Sequence, residues 1–523
     1  MRAVIVGCVS FLVGLLVLGV FPHAAPAQTA GAQGPYVIVF AGSQIPPGAE
    51  RLIESAGGKL ARTFPEVGIA VAISDSPKFS QILSRSGSVQ AIGEDSGRAL
   101  PDGFAAEFES EASGSVVVFQ PDPAVDDLFF LRQWHIRRVR ADAAWAIGAT
   151  GSSDIVVAII DTGVASNHPD LAPNLRFSDC FSPTGQKDLD CTRYPSIAFN
   201  LTDGGGSHGT MVAGIVAAAF GHGRVVGVGP NLSLASYNVF APDPVSGRPV
   251  ATETAIWAAM MDAAAVDLST GRTRAQVINL SLGDLILFPS HDERCLPSGP
   301  VPGKSCDAAL WTAWVRVVDF VVRRGVTVVA AAGNDGLNLN GPVAHVPSDV
   351  PLVISVGATG IRPCPFVPDP QHVTFDILGT TFQRSDGVLR EAPYSNSGAP
   401  VDLVAPGGDS GSLNLPRCIR PGSPAGTLPE PRSSWGIQSS AVMSAPGCAA
   451  TTTLCPTGYL RGLFGTSFAA PHVAGVAGLI LSQNPGLNPH QVAAILKRTA
   501  QPLGDRQQFG HGMVDAAAAV GAP

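Results

Sequence analysis

Five near-continuous apolar runs beyond residue 127 constrain the fold of this chain more than any other feature. They are Asp154–Ile160, Leu232–Phe240, Val277–Leu282, Val326–Ala332 and Leu352–Val356. A strand is apolar along its whole length when both faces of its sheet are buried, as in parallel sheets covered by helices. Helical stretches lie between the runs, at Thr252–Val266 and Asp307–Arg324. This alternation predicts an α/β domain with a doubly wound, mostly parallel sheet over residues 127–523.

The composition excludes several classes of protein. Charged residues make up 14% of the 523 residues and apolar residues 45%, which does not fit a disordered chain. The net charge of −8 gives no general attraction to phosphate backbones, so we expect no nucleic-acid partner. The 59 glycines and 44 prolines follow no G-X-Y period, which excludes collagen.

The first 27 residues have the pattern of a cleavable signal peptide. Arg2 supplies a positive charge, the stretch Ala3–Phe21 is uncharged, and Ala25-Pro26-Ala27 offers a cleavage site between small residues. We therefore expect a secreted protein, periplasmic or extracellular, that begins at Gln28 and has no membrane contact after cleavage. The alternative is an uncleaved anchor, because about 20 apolar residues can span a bilayer.

A small unit follows the leader, over residues 28–98. Apolar runs and helical stretches predict the order strand, helix, strand, strand, helix, strand, which is the ferredoxin-like arrangement of an α+β domain. Residues 99–126 are rich in Gly, Ser, Pro and acidic side chains and are expected to form an exposed linker with a processing site. Cleavage is expected between Gly97 and Asp126.

Eight cysteines remain after the leader is removed, an even number that suggests disulfides in an exported chain. Closeness in the sequence favours three pairs and leaves a fourth: Cys180–Cys191, Cys295–Cys306, Cys448–Cys455 and Cys364–Cys418. Free buried thiols are the alternative. Metal binding is less favoured, because no C-x-x-C spacing occurs.

Three short phrases carry residues that could do chemistry. Asp161 ends the run DIVVAIIDTG, His208 opens a helix in SHGTMVAG, and Ser467 opens another in GTSFAAP. Taken singly, each has a structural explanation: a turn or cap for the aspartate, a packed histidine, and an N-cap for the serine.

Together the phrases, in the order Asp, His, Ser, resemble the subtilisin-like serine peptidases of the subtilase family. VINLSLG, AAAGNDG, YSNSGAPVDLVAPG and GHGMVDA are also similar to that family, and the resemblance covers most of residues 127–518. It implies a serine endopeptidase in which Ser467 is the nucleophile, His208 the general base and Asp161 the residue that orients the imidazole. Asn334 matches the family's oxyanion-hole asparagine. Because the histidine must be neutral to act as a base, activity should fall on acidification.

The resemblance also implies a substrate site for protein or peptide chains. Ser281, Leu282 and Gly283 match the strand along which an extended peptide adds. Ala332 and Gly333 match the facing wall of the primary pocket, and such small residues leave room for a sizeable substrate side chain.

The small N-terminal unit resembles the inhibitory propeptides of the same family, which assist folding and cover the active site until they are removed. The resemblance therefore implies an autoprocessed preproenzyme, a monomer with its own propeptide as an intramolecular inhibitor. Segments 284–306, 360–392 and 408–462 look like insertions, and we expect disulfide-pinned surface loops there, since they hold six of the eight cysteines.

No cofactor is required for this chemistry. The resemblance leaves structural calcium open: Asp170 matches one calcium ligand of the family, whereas Ala217–Gly229 lacks an asparagine that often serves a calcium loop. Two other functions are the alternatives: a non-catalytic binding protein on the same scaffold and a membrane-anchored processing peptidase. The phrase Gly408-Asp409-Ser410-Gly411 is similar to the nucleophile phrase of chymotrypsin-like peptidases, but those are β-barrels.

Overall fold

The computed structural model describes residues 34–95, 97–99, 133–188, 191, 208–221, 225–242, 249–287, 308–341, 343–361, 372–377, 380–385, 389–392, 394–408, 437–443 and 455–521. The predicted leader and linker lie almost wholly outside these residues. So do Cys295, Cys306, Cys364, Cys418 and Cys448, and with them three of the four predicted disulfides.

The described helices and strands, apart from a 3₁₀ turn at Pro65–Val67, are as follows. The strands are β1 Gly34–Phe40, β2 Gly58–Phe64, β3 Ile69–Ser74, β4 Val89–Glu94, β5 Arg98–Ala99, β6 Val156–Asp161, β7 Leu175–Phe181, β8 Lys187–Asp188, β9 Ser233–Asn238, β10 Phe240–Pro242, β11 Pro249–Ala251, β12 Val266–Asp267, β13 Arg272–Thr273, β14 Val277–Leu280, β15 Asp284–Leu287, β16 Thr327–Ala331, β17 Val343–Val346, β18 Val353–Ile361, β19 His372–Ile377, β20 Thr380–Ser385, β21 Leu389–Glu391, β22 Leu403–Pro406, β23 Ile437–Met443 and β24 Cys455–Leu463. The helices are α1 Ala49–Ser55, α2 Phe79–Ser84, α3 Trp134–Arg138, α4 Ala141–Ala146, α5 His208–Ala217, α6 Glu253–Ala263, α7 Ala308–Arg323, α8 Thr466–Gln483, α9 Pro489–Thr499, α10 Arg506–Phe509 and α11 Ala516–Ala519.

The large sheet has nine described strands, and the predicted α/β fold with a mostly parallel sheet is confirmed. The strand order is β21-β18-β16-β14-β6-β9-β7-β8, with β22 paired to β18. Seven strands run parallel, and the short β8 and β21 pair antiparallel at the edges. Each of the five apolar runs overlaps one of the parallel strands.

Helices cover both faces of this sheet, which explains why its strands are apolar throughout. In β6, Val157 and Ile159 pack into one core with α5, α8 and α9, whereas Ala158 and Ile160 pack into a second core with α6 and α7. All four side chains are fully buried. Successive residues of a strand point to opposite faces, so both sets must be apolar.

The small N-terminal unit has its own antiparallel sheet, in the order β2-β3-β1-β4, with α1 and α2 on one side. In β1, Ile38 and Phe40 face these two helices, whereas Val37 and Val39 face the helices α6 and α7 of the large domain. The unit therefore lies against the two helices with the free face of its sheet.

Polar contacts join the same two units. The carboxylate of Asp95 accepts hydrogen bonds from the main-chain N–H groups of Glu253 (2.9 Å) and Thr254 (3.0 Å) at the start of α6. Three residues later begins β5, which pairs antiparallel with β11 of the large domain. The end of the small unit is thus held both at a helix N-terminus and at a strand edge.

The expected surface loops contain strands where the structure describes them. β15 pairs with β17, β19 with β20, and β23 with β24, all antiparallel. The pair Cys180–Cys191 forms a disulfide next to β8. Within the described residues, no helix has the length and apolar character needed to cross a bilayer.

Candidate active site

The candidate residues meet at one edge of the large sheet. Asp161 ends β6, Ser281 follows β14, and Asn334 lies just beyond β16. These three strands are neighbours and run parallel, so their carboxyl ends open onto the same crevice. Helix α8, which begins at Thr466 and carries Ser467, packs across β14 and β16.

Asp161 and His208 form a buried hydrogen-bonded pair. The imidazole Nδ1 lies 2.8 Å from Oδ1 and 2.9 Å from Oδ2 of the carboxylate. An ionised carboxylate only accepts, so Nδ1 carries the proton and the neutral ring has Nε2 as its basic nitrogen. The aspartate thus selects the tautomer that a general base requires.

Two threonines hold the histidine helix against the aspartate turn. Thr162 Oγ1 accepts from the main-chain N–H of Gly209 (3.0 Å), and Thr210 Oγ1 accepts from that of Ala165 (3.0 Å). A Cβ atom on Gly209 would collide with the carbonyl oxygen of Gly163, so only glycine allows this close approach. The small residues of the two phrases bring Asp161 and His208 within bonding distance.

Ser467 lies in the first turn of α8, beside His208 and β14. The rings of His208 and Phe468 are 5.7 Å apart, which places the imidazole against the start of this helix. Ser467 Oγ donates to the carbonyl of Ser281 (3.1 Å), and Ser281 Oγ donates to the carbonyl of Ser467 (2.7 Å). The serine is buried, with 7% of its surface exposed.

The side-chain amide of Asn334 is oriented by its neighbour Thr466. Asn334 Oδ1 accepts from both the main-chain N–H and the hydroxyl of Thr466, each at 2.8 Å. A main-chain N–H can only donate, so the oxygen of the amide must face Thr466. Nδ2 is turned the other way, and within the described residues no acceptor takes its protons. Asn334 therefore presents two N–H donors beside the start of α8.

Asn396 supports the turn that carries Asn334. It is fully buried, its Nδ2 donates to the carbonyl of Ala332 (2.9 Å), and its Oδ1 accepts from the main-chain N–H groups of Asp335 (3.2 Å) and Leu337 (2.9 Å). Gly333 has φ 99°, a left-handed conformation that favours glycine.

The predicted substrate residues lie just beyond the carboxyl ends of β14 and β16, next to this site. Leu282 is half-buried and Gly283 is exposed beyond β14, and Ala332 and Gly333 are buried beyond β16. Because β14 and β16 are adjacent, the two segments face one another across the crevice.

Sequence reasoning did not single out Thr162, Thr210, Thr466 or Asn396 as supporting residues. The first three lie within the quoted phrases, next to Asp161, His208 and Ser467, so their position was a usable signal. Asn396 lies in YSNSGAPVDLVAPG, but its role depends on a contact with Ala332 across 64 residues, which no local pattern indicates.

The surroundings of Asp170 contain several hydrogen bonds within the protein. Asp170 is fully buried, and its carbonyl already accepts from the N–H of Ala219 (2.8 Å). The side chain of Gln133 bonds both the N–H (2.9 Å) and the carbonyl (3.0 Å) of Val226 in the nearby loop. Calcium takes six to eight oxygen ligands, and residues 222–224 of the nearby loop lie outside the described residues, so structural calcium stays an open expectation. The described residues contain no group of three or more His, Cys, Asp or Glu side chains that could hold a metal ion.

The chain is similar to known proteins over most of its length. The family model of the subtilases matches residues 152–512. Subtilisin BL of Lederbergia lenta is 30% identical over 387 residues, which cover 74% of this chain and 98% of that protein. An alkaline protease of Alkalihalobacillus alcalophilus is 29% identical over 410 residues, covering 78% and 75%.

A solved structure shares the fold. The epidermin leader peptide processing serine protease of Staphylococcus aureus aligns with a TM-score of 0.62 and 20% identity, over 94% of this chain and 98% of that one. The family match and the identity to subtilisins cover most of the chain. The chain belongs to the subtilase family and is a subtilisin-like serine endopeptidase.

Proposed function

We propose that the chain is a secreted endopeptidase, made as an autoprocessed preproenzyme, in which Asp161, His208 and Ser467 are the catalytic triad. The observation that carries this proposal is the buried Asp161–His208 pair beside the start of α8, where Ser467 lies.

The proposed reaction begins when Ser467 Oγ attacks the carbonyl carbon of the substrate peptide bond. The hydroxyl turns from the carbonyl of Ser281, where it now donates, towards Nε2 of His208. His208 accepts the proton as the C–O bond forms, and returns it to the leaving nitrogen as the C–N bond breaks. Asp161 keeps Nδ1 protonated and stabilises the imidazolium. Water then hydrolyses the acyl-enzyme by the same route.

The negative charge that develops on the substrate oxygen needs donors that are already in place. Nδ2 of Asn334 is one such donor, because Thr466 holds the amide in the required orientation. The main-chain N–H of Ser467 is the second, since the first N–H groups of a helix have no intrahelical acceptor.

The substrate lies along Ser281–Gly283 as an added strand, and the side chain before the cleaved bond enters the pocket between this segment and Ala332-Gly333. Main-chain hydrogen bonds of this kind accept any sequence, so selectivity must arise from the pocket. Protein and peptide chains are the substrate class.

The small unit is proposed to be a ferredoxin-like propeptide and an intramolecular inhibitor. Its strand order β2-β3-β1-β4 with two helices on one face supports the fold, and its docking on α6 and α7 supports a role in folding the large domain. Slow formation of a large parallel sheet makes such a helper physically useful. Cleavage within 97–126 would release it. The leader 1–27 would direct export, and the mature enzyme would be a monomer.

The test compares two serine variants of the full-length chain. Ser467→Ala is expected to leave a precursor of full exported length that a fluorophosphonate probe does not label. Ser410→Ala, which alters the chymotrypsin-like phrase, should be processed and labelled as the wild type is. Processing of Ser467→Ala at the normal rate would overturn autoprocessing, and absence of labelling in the wild type would favour a non-catalytic binding protein.

N-terminal sequencing of the purified enzyme tests the export proposal separately. A start at or beyond Gln28 is expected, whereas retention of residues 1–27 would indicate a membrane-anchored enzyme.

A further inference from the structure

One histidine outside the triad lies between the two walls of the proposed primary pocket. His345 is on β17, which pairs antiparallel with β15, and in this register His345 is opposite Leu285. Because β15 begins directly after Gly283, the pairing brings His345 back to the end of the substrate segment.

The ring of His345 approaches the glycines of both walls. A Cβ atom built on Gly283 would lie 2.9 Å from Nε2 of the imidazole, and one built on Gly333 would lie 2.8 Å from the same atom and 2.6 Å from Cδ2. A real Cβ essentially never comes this close to another atom. The imidazole edge therefore occupies the space that side chains at the two wall positions would otherwise fill.

The ring is also held in place. Nδ1 lies 3.0 Å from Ser348 Oγ, and the N–H of His345 donates to Asp349 Oδ2 (2.9 Å). The residue is 4% exposed. Moving the ring out of the crevice would break its contact with Ser348 and expose a buried side chain, so a substrate side chain meets it as a fixed wall.

We propose that His345 forms the floor of the primary pocket and makes the enzyme select short side chains, such as Ala and Ser, on the amino side of the cleaved bond. Small residues at Ala332 and Gly333 alone suggested a roomy pocket, but the imidazole takes up that room. This inference rests on the proposed function, because it assumes that Ser281–Gly283 and Ala332-Gly333 line the pocket.

The experiment uses processed enzyme and peptide substrates that differ only at the residue before the cleaved bond, with Ala, Ser, Leu or Phe there. The wild type is expected to cleave after Ala at least about tenfold more efficiently in kcat/KM than after Phe, the discrimination that a mismatch of a few atoms provides. His345→Ala should raise kcat/KM for the Phe peptide about tenfold or more and leave that for the Ala peptide within about threefold.

Two further variants keep the test decisive. Ser348→Ala removes the partner of Nδ1 but leaves the buried imidazole. It should therefore retain the wild-type preference for the Ala peptide over the Phe peptide in kcat/KM. His345→Asn shortens the side chain and retains a polar group for Ser348, and it should also gain activity on the Phe peptide. The fluorophosphonate probe measures the concentration of active enzyme. If neither His345 variant is labelled, the proposal is judged from the kcat/KM values of the wild type for the four peptides.

Efficient wild-type cleavage after Phe, or labelled His345 variants with the wild-type order of substrates, would overturn the role of His345. Failure of the proposed function gives a different result: a wild type that cleaves none of the peptides and takes up no probe.

Discussion

Ser281 and Ser467 exchange two hydrogen bonds, each hydroxyl donating to the carbonyl of the other residue. This exchange joins the end of β14 to the first turn of α8. Asn279 Nδ2 donates to Ser281 Oγ (3.0 Å), which leaves the hydroxyl proton of Ser281 for the carbonyl of Ser467. The proposed substrate segment thus positions the backbone of the proposed nucleophile.

Replacing Ser281 by Ala is expected to lower kcat about tenfold. The variant leaves the carbonyl of Ser467 and the amide of Asn279 without a buried partner, which costs about 1–3 kcal/mol and loosens the first turn of α8. Steady-state kinetics and urea unfolding measure the two effects. Ser482→Ala is the matched control, since Ser482 Oγ donates to the carbonyl of Gly478 at the far end of the same helix. It should reduce stability only, and an equal loss of kcat in both variants would contradict the prediction.

Asn334→Asp should lower kcat by about 10²- to 10³-fold with little change in KM, because the variant keeps an acceptor for Thr466 but loses the N–H donors. The donors act on charge that develops only in the transition state, so binding of the ground state is little affected.

Thr466 provides the matched comparison for Asn334. Thr466→Val removes one of the two bonds that orient the amide and leaves the main-chain N–H of residue 466 in place. We expect a loss of about tenfold in kcat, between that of the wild type and that of Asn334→Asp. A loss in the Val variant as large as that in Asn334→Asp would mean that Thr466 acts directly rather than through Asn334.

The sequence predicted those features that depend on local pattern. All five apolar runs overlap strands, because strands buried on both faces must be apolar throughout. Strand β7, next to the edge strand β8, was missed, since its exposed positions carry polar side chains such as Arg176 and Ser178.

Only those site residues that lie within the short sequence phrases could be predicted. Asp161 and His208 lie in phrases whose geometry follows from the strand ends. The position of His345 depends on the pairing of β15 with β17, which are separated by more than fifty residues, and no short pattern indicates such a contact.

Arg316 on α7 is predicted to anchor the small unit to the large domain. Its guanidinium donates to the carbonyls of Phe40 (3.0 Å), Gly42 (2.9 Å) and Val67 (3.0 Å), and to Gln90 Oε1 (2.7 Å). All four acceptors belong to the proposed propeptide. Arg316→Ala should raise the dissociation constant of the cleaved unit at least about tenfold, because hydrogen bonds to a charged donor are the stronger kind.

The measurement for Arg316 is the inhibition of the processed enzyme by its own cleaved unit at increasing dilution. Arg323→Ala is the control, because Arg323 lies on the same helix and its side chain is 77% exposed in an ion pair with Asp319. It should leave inhibition unchanged. Equal inhibition of the Arg316 variant and the wild type would show that the apolar face of the sheet alone holds the unit.

A buried pair of histidines predicts how stability depends on pH. His472 Nδ1 lies 2.8 Å from the carbonyl of Phe468, and its Nε2 lies 2.9 Å from Nδ1 of His135. A carbonyl only accepts, so Nδ1 of His472 carries its proton, and Nε2 accepts from His135. A second proton on His472 would place its Nε2–H directly opposite the Nδ1–H of His135, so that two donors would face each other. Burial accordingly lowers the pKa of His472 to about 4.

The unfolded chain has an ordinary histidine at this position, with a pKa of about 6.5, so it binds a proton more readily than the folded protein between pH 6.5 and 4. The stabilisation by neutral His472 is therefore complete above pH 6.5 and is lost as the pH falls to about 4. The expected loss is about 3 kcal/mol in the free energy of unfolding.

Urea unfolding of Ser467→Ala protein, which avoids self-digestion, measures this loss. His472→Asn should be less stable at pH 8 but show a flatter dependence on pH, whereas the exposed His490→Asn should retain the full slope. An unchanged slope in His472→Asn would assign the pH dependence to other groups.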